Sequence, residues 1–165
     1  GDYKLTADYE GQSIQTLGSA VSLKGGKSKA RFEGQITADN GRSFASRFAP
    51  SDSLEISATI IMDPDHIGKS GFLMVVAQIG EEILVLNEER KFVNLSLISG
   101  RVLPFSSKIL EQSEIIEVVS GLVPKNIMVN NIEVEFFVGY GLVEDPTEIY
   151  YHQTPLLLNI SDKKN

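Results

Sequence analysis

Cysteine and tryptophan are absent from this chain of 165 residues, and apolar residues never run on for the length of a membrane helix. Without cysteine the chain has no disulfide framework, no thiolate zinc site and no cysteine nucleophile. A membrane-spanning helix needs about 20 consecutive apolar residues, which no segment supplies. The absences predict a domain that is held together by an ordinary apolar core and does not insert into a membrane.

Positive charge is scarce as well. The chain has 15 Lys and Arg residues against 22 Asp and Glu residues, which gives a net charge of −7. A surface of this sign has no cationic field to neutralise phosphates, so we expect no nucleic acid among its partners. The hydrophobic share of 42% is ordinary for a globular protein and too high for a disordered chain.

Alternation of apolar and polar residues is the dominant pattern in the chain. In residues 54–62 one face carries Leu54, Ile56, Ala58, Ile60 and Met62. Residues 132–140 alternate in the same way at first and become apolar on both faces from Phe137 onward. Such alternation indicates antiparallel strands with one buried face.

Further strands are predicted from shorter apolar runs bounded by turn residues. Asn40-Gly41 favours a tight hairpin turn, so we predict strands near 30–38 and 42–48. Pro155 suggests an edge strand or a change of sheet at that point. The remaining predicted strands are 72–79, a hairpin of 83–86 and 92–97, 115–119, 149–152 and 156–160.

Helix is nearly excluded by the same patterns. The only candidate is residues 107–112, with Ser106 or Ser107 as its N-terminal cap. The predicted fold is all-β: an antiparallel β-sandwich, immunoglobulin-like or jelly-roll-like, with about eight to ten strands and at most one short helix. We expect the sandwich over residues 30–161, a polar tail over 162–165, and an N-terminal arm or early strand pair over 1–29.

Several short motifs are shared with a known kind of module. They are Phe32 to Gly34, the turn at 39–41, the stretches 51–56 and 62–69, the apolar strand at 75–77, and the stretch 136–140. In these motifs, residues 30–160 resemble a β-sandwich module that recurs in large secreted and cell-surface proteins of bacteria. The pattern differs at Gly34-Gln35-Ile36, where a second glycine is more usual, and residues 1–29 have no counterpart.

This resemblance implies a structural or adhesive role. It places the chain in a secreted, periplasmic or cell-surface setting and makes neighbouring domains of the same chain its first partners. A surface protein or a glycan is the second kind of partner that such a module would meet. The resemblance carries no catalytic residues.

Asp63 to His66 is the cluster that most invites a metal ion. Calcium takes six to eight oxygen ligands, so Asp63 and Asp65 would need help from Asp52 or from the acidic pair at 144–145. The alternative is a structural turn in which Asp65 accepts backbone N–H groups and Gly68 closes the turn. Calcium is therefore the one cofactor that the sequence leaves open.

Catalytic chemistry has no local signature in the chain. His66 and His152 are the only histidines, and neither lies in a Ser/His/Asp or His-Glu-x-x-His context. His152 is expected to be a surface or packing residue. We predict that the protein is not an enzyme.

Carbohydrate or small-ligand binding is the alternative function. Small β-sandwiches present aromatic rings to sugars, and the candidate platforms are Tyr9, Phe105 and Tyr150. Tyr140 and Tyr151 fall on core positions of their strands. The first prediction therefore remains a non-catalytic structural or adhesive module, with a ligand-binding domain as the second.

Overall fold

The computed structural model describes residues 15–38, 43–44, 47–48, 53–95, 103–122 and 132–160. These residues form thirteen strands and no α-helix, and none of their segments is a helix able to cross a bilayer. The strands are β1 (Gln15–Ser22), β2 (Arg31–Ala38), β3 (Ser43–Phe44), β4 (Arg47–Phe48), β5 (Leu54–Ile61), β6 (Ser70–Ile79), β7 (Glu82–Leu86), β8 (Phe92–Asn94), β9 (Ser106–Ile109), β10 (Ser113–Leu122), β11 (Ile132–Leu142), β12 (Asp145–His152) and β13 (Leu156–Ile160). The predicted all-β class is confirmed. The strands outnumber the prediction, even without the two-residue β3 and β4.

The strands pair in the order β10-β5-β2-β1-β12-β11-β6-β7-β8. Every neighbour along this path is antiparallel. Off the path, β3 pairs with β2, β9 with β6, and β13 with β11, while the pairing of β13 with β4 is parallel. Antiparallel pairing is therefore the rule, as the alternation predicted.

Strand β1 connects the two halves of this path. Its first part, from Gln15 to Ser19, pairs with β2, and its last part, from Ala20 to Ser22, pairs with β12. The register shifts beside Gly18, whose φ of 97° is in the region that favours glycine. Leu17 is 1% exposed, so part of the segment 1–29 lies in the core.

The core lies between the halves. Phe32, Ile56, Ile60 and Ile116 from one half form a single cluster with side chains of β6, β11, β12 and β13 from the other. Within β5 every second residue is buried, and β11 is buried continuously from Val138 to Leu142. Both patterns confirm the faces assigned from the sequence.

The predicted hairpins and central strand are largely confirmed. Residues 83–86 and 92–94 pair across a tip in which Asn87 Oδ1 accepts the N–H groups of Glu89 and Lys91. The strand predicted at 72–79 is central, because β6 pairs with β11 on one side and with β7 and β9 on the other. β2 pairs with β3 as predicted, although the turn at 39–41 lies outside the described residues.

Two local predictions are wrong, one of them in part. Residues 107–112 do not form a helix, since β9 pairs with the first residues of β6, whose backbone groups outcompete a helix too short to nucleate alone. Of the two alternatives at Pro155, the change of sheet is wrong, because β12 and β13 both pair with β11. The edge alternative fits the start of β13, since Leu156 to Leu158 pair with no second strand of the described residues. Pro155 lies in the short break between β12 and β13, which pair with successive parts of β11.

Candidate functional site

A polar pocket of about 270 Å³ opens at one end of the sandwich. The β5–β6 connection, the β11–β12 turn and the first half of β12 meet there, and Val143 N–H donates to Ser70 O across the two connections at 3.0 Å. The pocket is lined by Asp65, His66, Lys69, Leu142, Glu144, Asp145, Glu148 and Tyr150. Seven of these eight side chains are polar, which distinguishes this pocket from the two mainly apolar cavities described below.

Asp63 shapes the connection that carries His66 into the pocket. Its Oδ1 accepts the N–H of Asp65 at 2.8 Å, and its Oδ2 accepts the N–H of Lys29 at 2.8 Å. Burial acts to raise the pKa of Asp63, but these two N–H groups, together with nearby positive charge, outweigh it and hold the pKa below its usual value. Asp63, and not Asp65 as predicted, therefore accepts the backbone bonds of the turn, because its side chain points inward and that of Asp65 is exposed.

His66 is held by a buried hydrogen-bond chain. Its Nδ1 lies 2.6 Å from the hydroxyl of Tyr140, which lies 2.5 Å from Ser28 Oγ. Tyr140 is fully buried, and this burial raises the pKa of its hydroxyl well above the usual value. His66 is 9% exposed, and its Nε2 has no hydrogen-bond partner among the described residues.

Tyr150 lies beside His66 in the pocket wall. The two ring centroids are 5.5 Å apart and nearly stacked, and Tyr140 lies 5.2 Å from Tyr150 on another side. Tyr150 is 8% exposed, and no residue in the described part of the chain bonds its hydroxyl. The ring is thus part of a buried aromatic group, with its polar end at the pocket.

The burial predicted for the tyrosines of β11 and β12 is partly wrong. Tyr140 is buried as predicted, but Tyr150 points inward and Tyr151 is half-buried on the outer face. The run Ile149-Tyr150-Tyr151-His152 contains no clearly polar position that would set the phase of the alternation. His152 also points inward and is a packing residue, at 1% exposed.

Glu148 is the pocket residue that the sequence did not single out. It is 4% exposed, its Oε1 accepts the N–H groups of Lys24 and Ile149, and its Oε2 accepts the N–H of Gly26 at 2.7 Å. Burial alone would raise the pKa of Glu148, but the three N–H groups and the positive charge of Lys24 together lower it below its usual value. The one signal in the sequence is the alternation along β12, which places Glu148 on the same inward face as Tyr150 and His152.

The pocket rim is acidic. Asp65, Glu144 and Asp145 are exposed carboxylates of the lining. Lys69 Nζ lies 3.4 Å from Glu144, and Lys24 Nζ lies 3.5 Å from Asp145, but all four side chains are close to half exposed or more. Exposed pairs of this kind contribute little, so the pocket keeps an excess of negative charge.

The remaining predicted site residues do not join the pocket. Phe105 is half-buried elsewhere, with the Arg90 guanidinium 5.3 Å from its ring centroid. Tyr9 and Asp52 lie outside the described residues. The structure therefore brings together Tyr150 and Asp65, with Asp63 behind them.

Two larger cavities are mainly apolar. A cleft of about 480 Å³ lies between the halves of the sandwich, against Val118, Phe136 and Leu158. A groove of about 340 Å³ lies on the outer face, against Val76, Phe137 and Tyr151. Neither contains a buried polar side chain that lacks a partner, so neither offers the directional contacts that specify a polar ligand.

Metal ligation finds little support in this part of the chain. No group of three or more His, Asp or Glu residues is placed to hold a metal ion in the described ranges. Both carboxylate oxygens of Asp63 already accept backbone N–H groups. The calcium prediction for Asp63, Asp65 and Asp52 therefore stays a prediction, with Asp52 undescribed.

Adding a chelator to the purified protein is expected to leave the melting temperature unchanged, because the turn at Asp63 is held by backbone hydrogen bonds. The measurement is a thermal melt in EDTA beside one in millimolar calcium, with Asp65→Asn as the matched variant. A ligand that binds only the folded state raises its stability. A calcium-dependent rise of several degrees that Asp65→Asn abolishes would show that calcium binds here.

Comparisons with known proteins give a distant likeness in structure alone. No protein family matches the sequence, and no curated protein matches it. The crystal structure of the C-terminal domain of wzt aligns with a TM-score of 0.42 and 14% sequence identity, over 92% of this chain and 78% of that one. A likeness of this degree carries no argument about function.

Proposed function

We propose that the chain is a non-catalytic adhesive module of a larger secreted or surface protein and that its polar pocket receives one sugar residue. The observation that carries the proposal is a pair of side chains, His66 and Tyr150, each more than nine-tenths buried. His66 Nε2 and the Tyr150 hydroxyl lack partners among the described residues, although buried polar atoms are almost always hydrogen-bonded. Such atoms in a pocket wall are ready for the hydroxyl groups of a ligand.

The composition of the pocket suits a polyhydroxylated ligand. Sugar hydroxyls both donate and accept, and the lining offers carboxylate acceptors at Asp65 and Asp145 and a donor at Lys69. Pockets for drug-sized ligands run from about 300 to 1,000 Å³. A volume of about 270 Å³ therefore suits a single ring.

The electrostatics favour binding over catalysis. Glycoside hydrolysis needs one carboxylic acid whose pKa is raised so that it can protonate the leaving group. The buried carboxylate of this pocket, Glu148, has its pKa lowered by three backbone N–H groups and the charge of Lys24, which favours its charged form. The secreted or cell-surface setting rests on the sequence resemblance of residues 30–160.

Removing one hydroxyl tests the proposal. Tyr150→Phe is expected to weaken the binding of a monosaccharide, chosen from a panel, about tenfold, since one hydrogen bond to a buried group is worth about 1.4 kcal/mol. Tyr151→Phe is the matched control, because the same change one residue later falls on the outer face. Titration calorimetry measures both.

Equal loss in the two variants would place the site elsewhere. No binding of any monosaccharide by the unmodified protein would refute the proposal. A spacer module would then be the better description, with the pocket filled by water alone.

A further inference from the structure

We infer that the sugar bound in this pocket carries a protonated amino group and that Glu148 receives the ammonium. The inference rests on the proposed function and narrows its ligand to an amino sugar. It starts from the observation that Glu148, a buried carboxylate facing the pocket, forms no ion pair with a side chain of the described residues, since the nearby Lys24 Nζ contacts Thr147 and Asp145 instead.

Glu148 has one acceptor position left. A carboxylate accepts about four hydrogen bonds, and three are taken by the N–H groups of Lys24, Gly26 and Ile149. No lysine, arginine or histidine side chain of the described ranges lies within ion-pair distance of Glu148. The remaining position is on Oε2, which accepts from Gly26 alone among the residues that the structure describes.

Gly26 lies beside two of the protein groups that would bind the ligand. A Cβ atom built on Gly26 would lie 2.5 Å from Glu148 Oε2 and 2.8 Å from the Tyr150 hydroxyl. The two oxygens thus lie near each other beside the Gly26 backbone, so a ligand that reaches Oε2 from the pocket also approaches the Tyr150 hydroxyl. An ammonium group supplies three donors, whereas a sugar hydroxyl supplies one.

The charge around this point favours the same ligand. Asp65, Glu144 and Asp145 add three carboxylates to the lining, and Lys69 is the one lysine or arginine that the described residues contribute to it. A negative concave site attracts cations and repels anions, and the effect is stronger where water is partly excluded. A neutral sugar gains nothing from the field, and an acidic sugar is opposed by it.

His66 gives the second, independent sign of a polyhydroxylated ligand. Its Nδ1 is fixed by the Tyr140 hydroxyl, so Nε2 is the ring nitrogen left for a ligand. A small amine without hydroxyl groups would satisfy Glu148 and leave His66 without a partner. An amino sugar offers an ammonium group to Glu148 and hydroxyl groups to His66.

Calorimetric titration of the whole chain with D-glucosamine, N-acetyl-D-glucosamine, D-glucose and ethanolamine tests the inference. We expect D-glucosamine to bind at least tenfold more tightly than the N-acetylated and unsubstituted sugars, which keep the ring and lack the charge. Glu148→Gln should remove this preference. Glu133→Gln is the matched control on an exposed site of β11 and should keep it.

Each outcome separates the two claims. Equal affinity for glucosamine and glucose overturns the amine inference and leaves the sugar site standing. Ethanolamine binding as tightly as glucosamine supports the ammonium site and overturns the sugar. No binding of any probe overturns both. If Glu148→Gln does not fold, the preference of the unmodified chain still decides, and Asp145→Asn should weaken it several-fold.

Discussion

Replacing His152 with alanine is expected to lower the free energy of unfolding by about 4 kcal/mol, since it leaves both a cavity and an unsatisfied backbone group. The side chain is 1% exposed, and its ring centroid lies 5.3 Å from those of Phe32 and Phe137. Nε2 accepts the Val138 N–H at 3.0 Å, and Nδ1 donates to Thr154 O at 2.7 Å. One ring thus satisfies the main chain at two places.

The reason for this role is the break between β12 and β13. On β11, Phe136 pairs with Leu156 and Gly139 pairs with Tyr151, so the backbone of Phe137 and Val138 faces the interruption. Pro155 within it has no N–H group. The His152 side chain replaces the strand partner that Val138 would otherwise lack.

Urea unfolding measures the loss, with Gln153→Ala as the control. Gln153 is the exposed neighbour of His152 in the same interruption, and its replacement should change stability by less than about 0.5 kcal/mol. A loss below about 1 kcal/mol for His152→Ala would contradict the bridging role.

The stability of the unmodified protein is expected to fall by about 3 kcal/mol between pH 7 and pH 4 through His152 alone. Burial lowers the pKa of His152 to about 4, against the opposing effect of its bond to Thr154. The unfolded chain has an ordinary histidine pKa of about 6.5. Between these values the unfolded state binds a proton that the folded state does not, so stability rises with pH across this window.

The carboxylates act in a different window. Asp63 and Glu148 have lowered pKa values in the folded state, so their contribution is present above the ordinary carboxyl pKa and is lost at lower pH. Unfolding free energies at pH 7, 6 and 5 therefore isolate the histidine. His152→Gln should flatten this dependence, and an unchanged slope in that variant would assign it to other groups.

Much of the fold is predictable from the sequence because alternation has a physical cause. Leu54 to Met62 is divided between core and solvent, and the polar members Glu55, Ser57 and Thr59 fix which face is buried. Ile149 to His152 offers no such division, and here the assignment of Tyr150 and Tyr151 to faces was reversed. The helix predicted at 107–112 is wrong for a similar reason, because pairing with the edge of β6 decides which structure these residues adopt.

The pocket itself was only partly predictable. Tyr150 and Asp65 were named, for reasons of ring chemistry and local charge. Glu148 is charged because of N–H groups from Lys24 and Gly26, more than 120 residues away in the chain. Contacts of that separation are set by the order of the strands, which no local pattern in the sequence encodes.

Mapping of amide chemical shifts during titration with D-glucosamine tests the central claim most directly, because it shows where the ligand binds. We expect the shifts to concentrate at the pocket, with Gly26, His66, Glu148 and Tyr150 among the most affected residues. Shifts confined to the outer-face groove around Phe137 and Tyr151, or no shifts at saturating sugar, would contradict it.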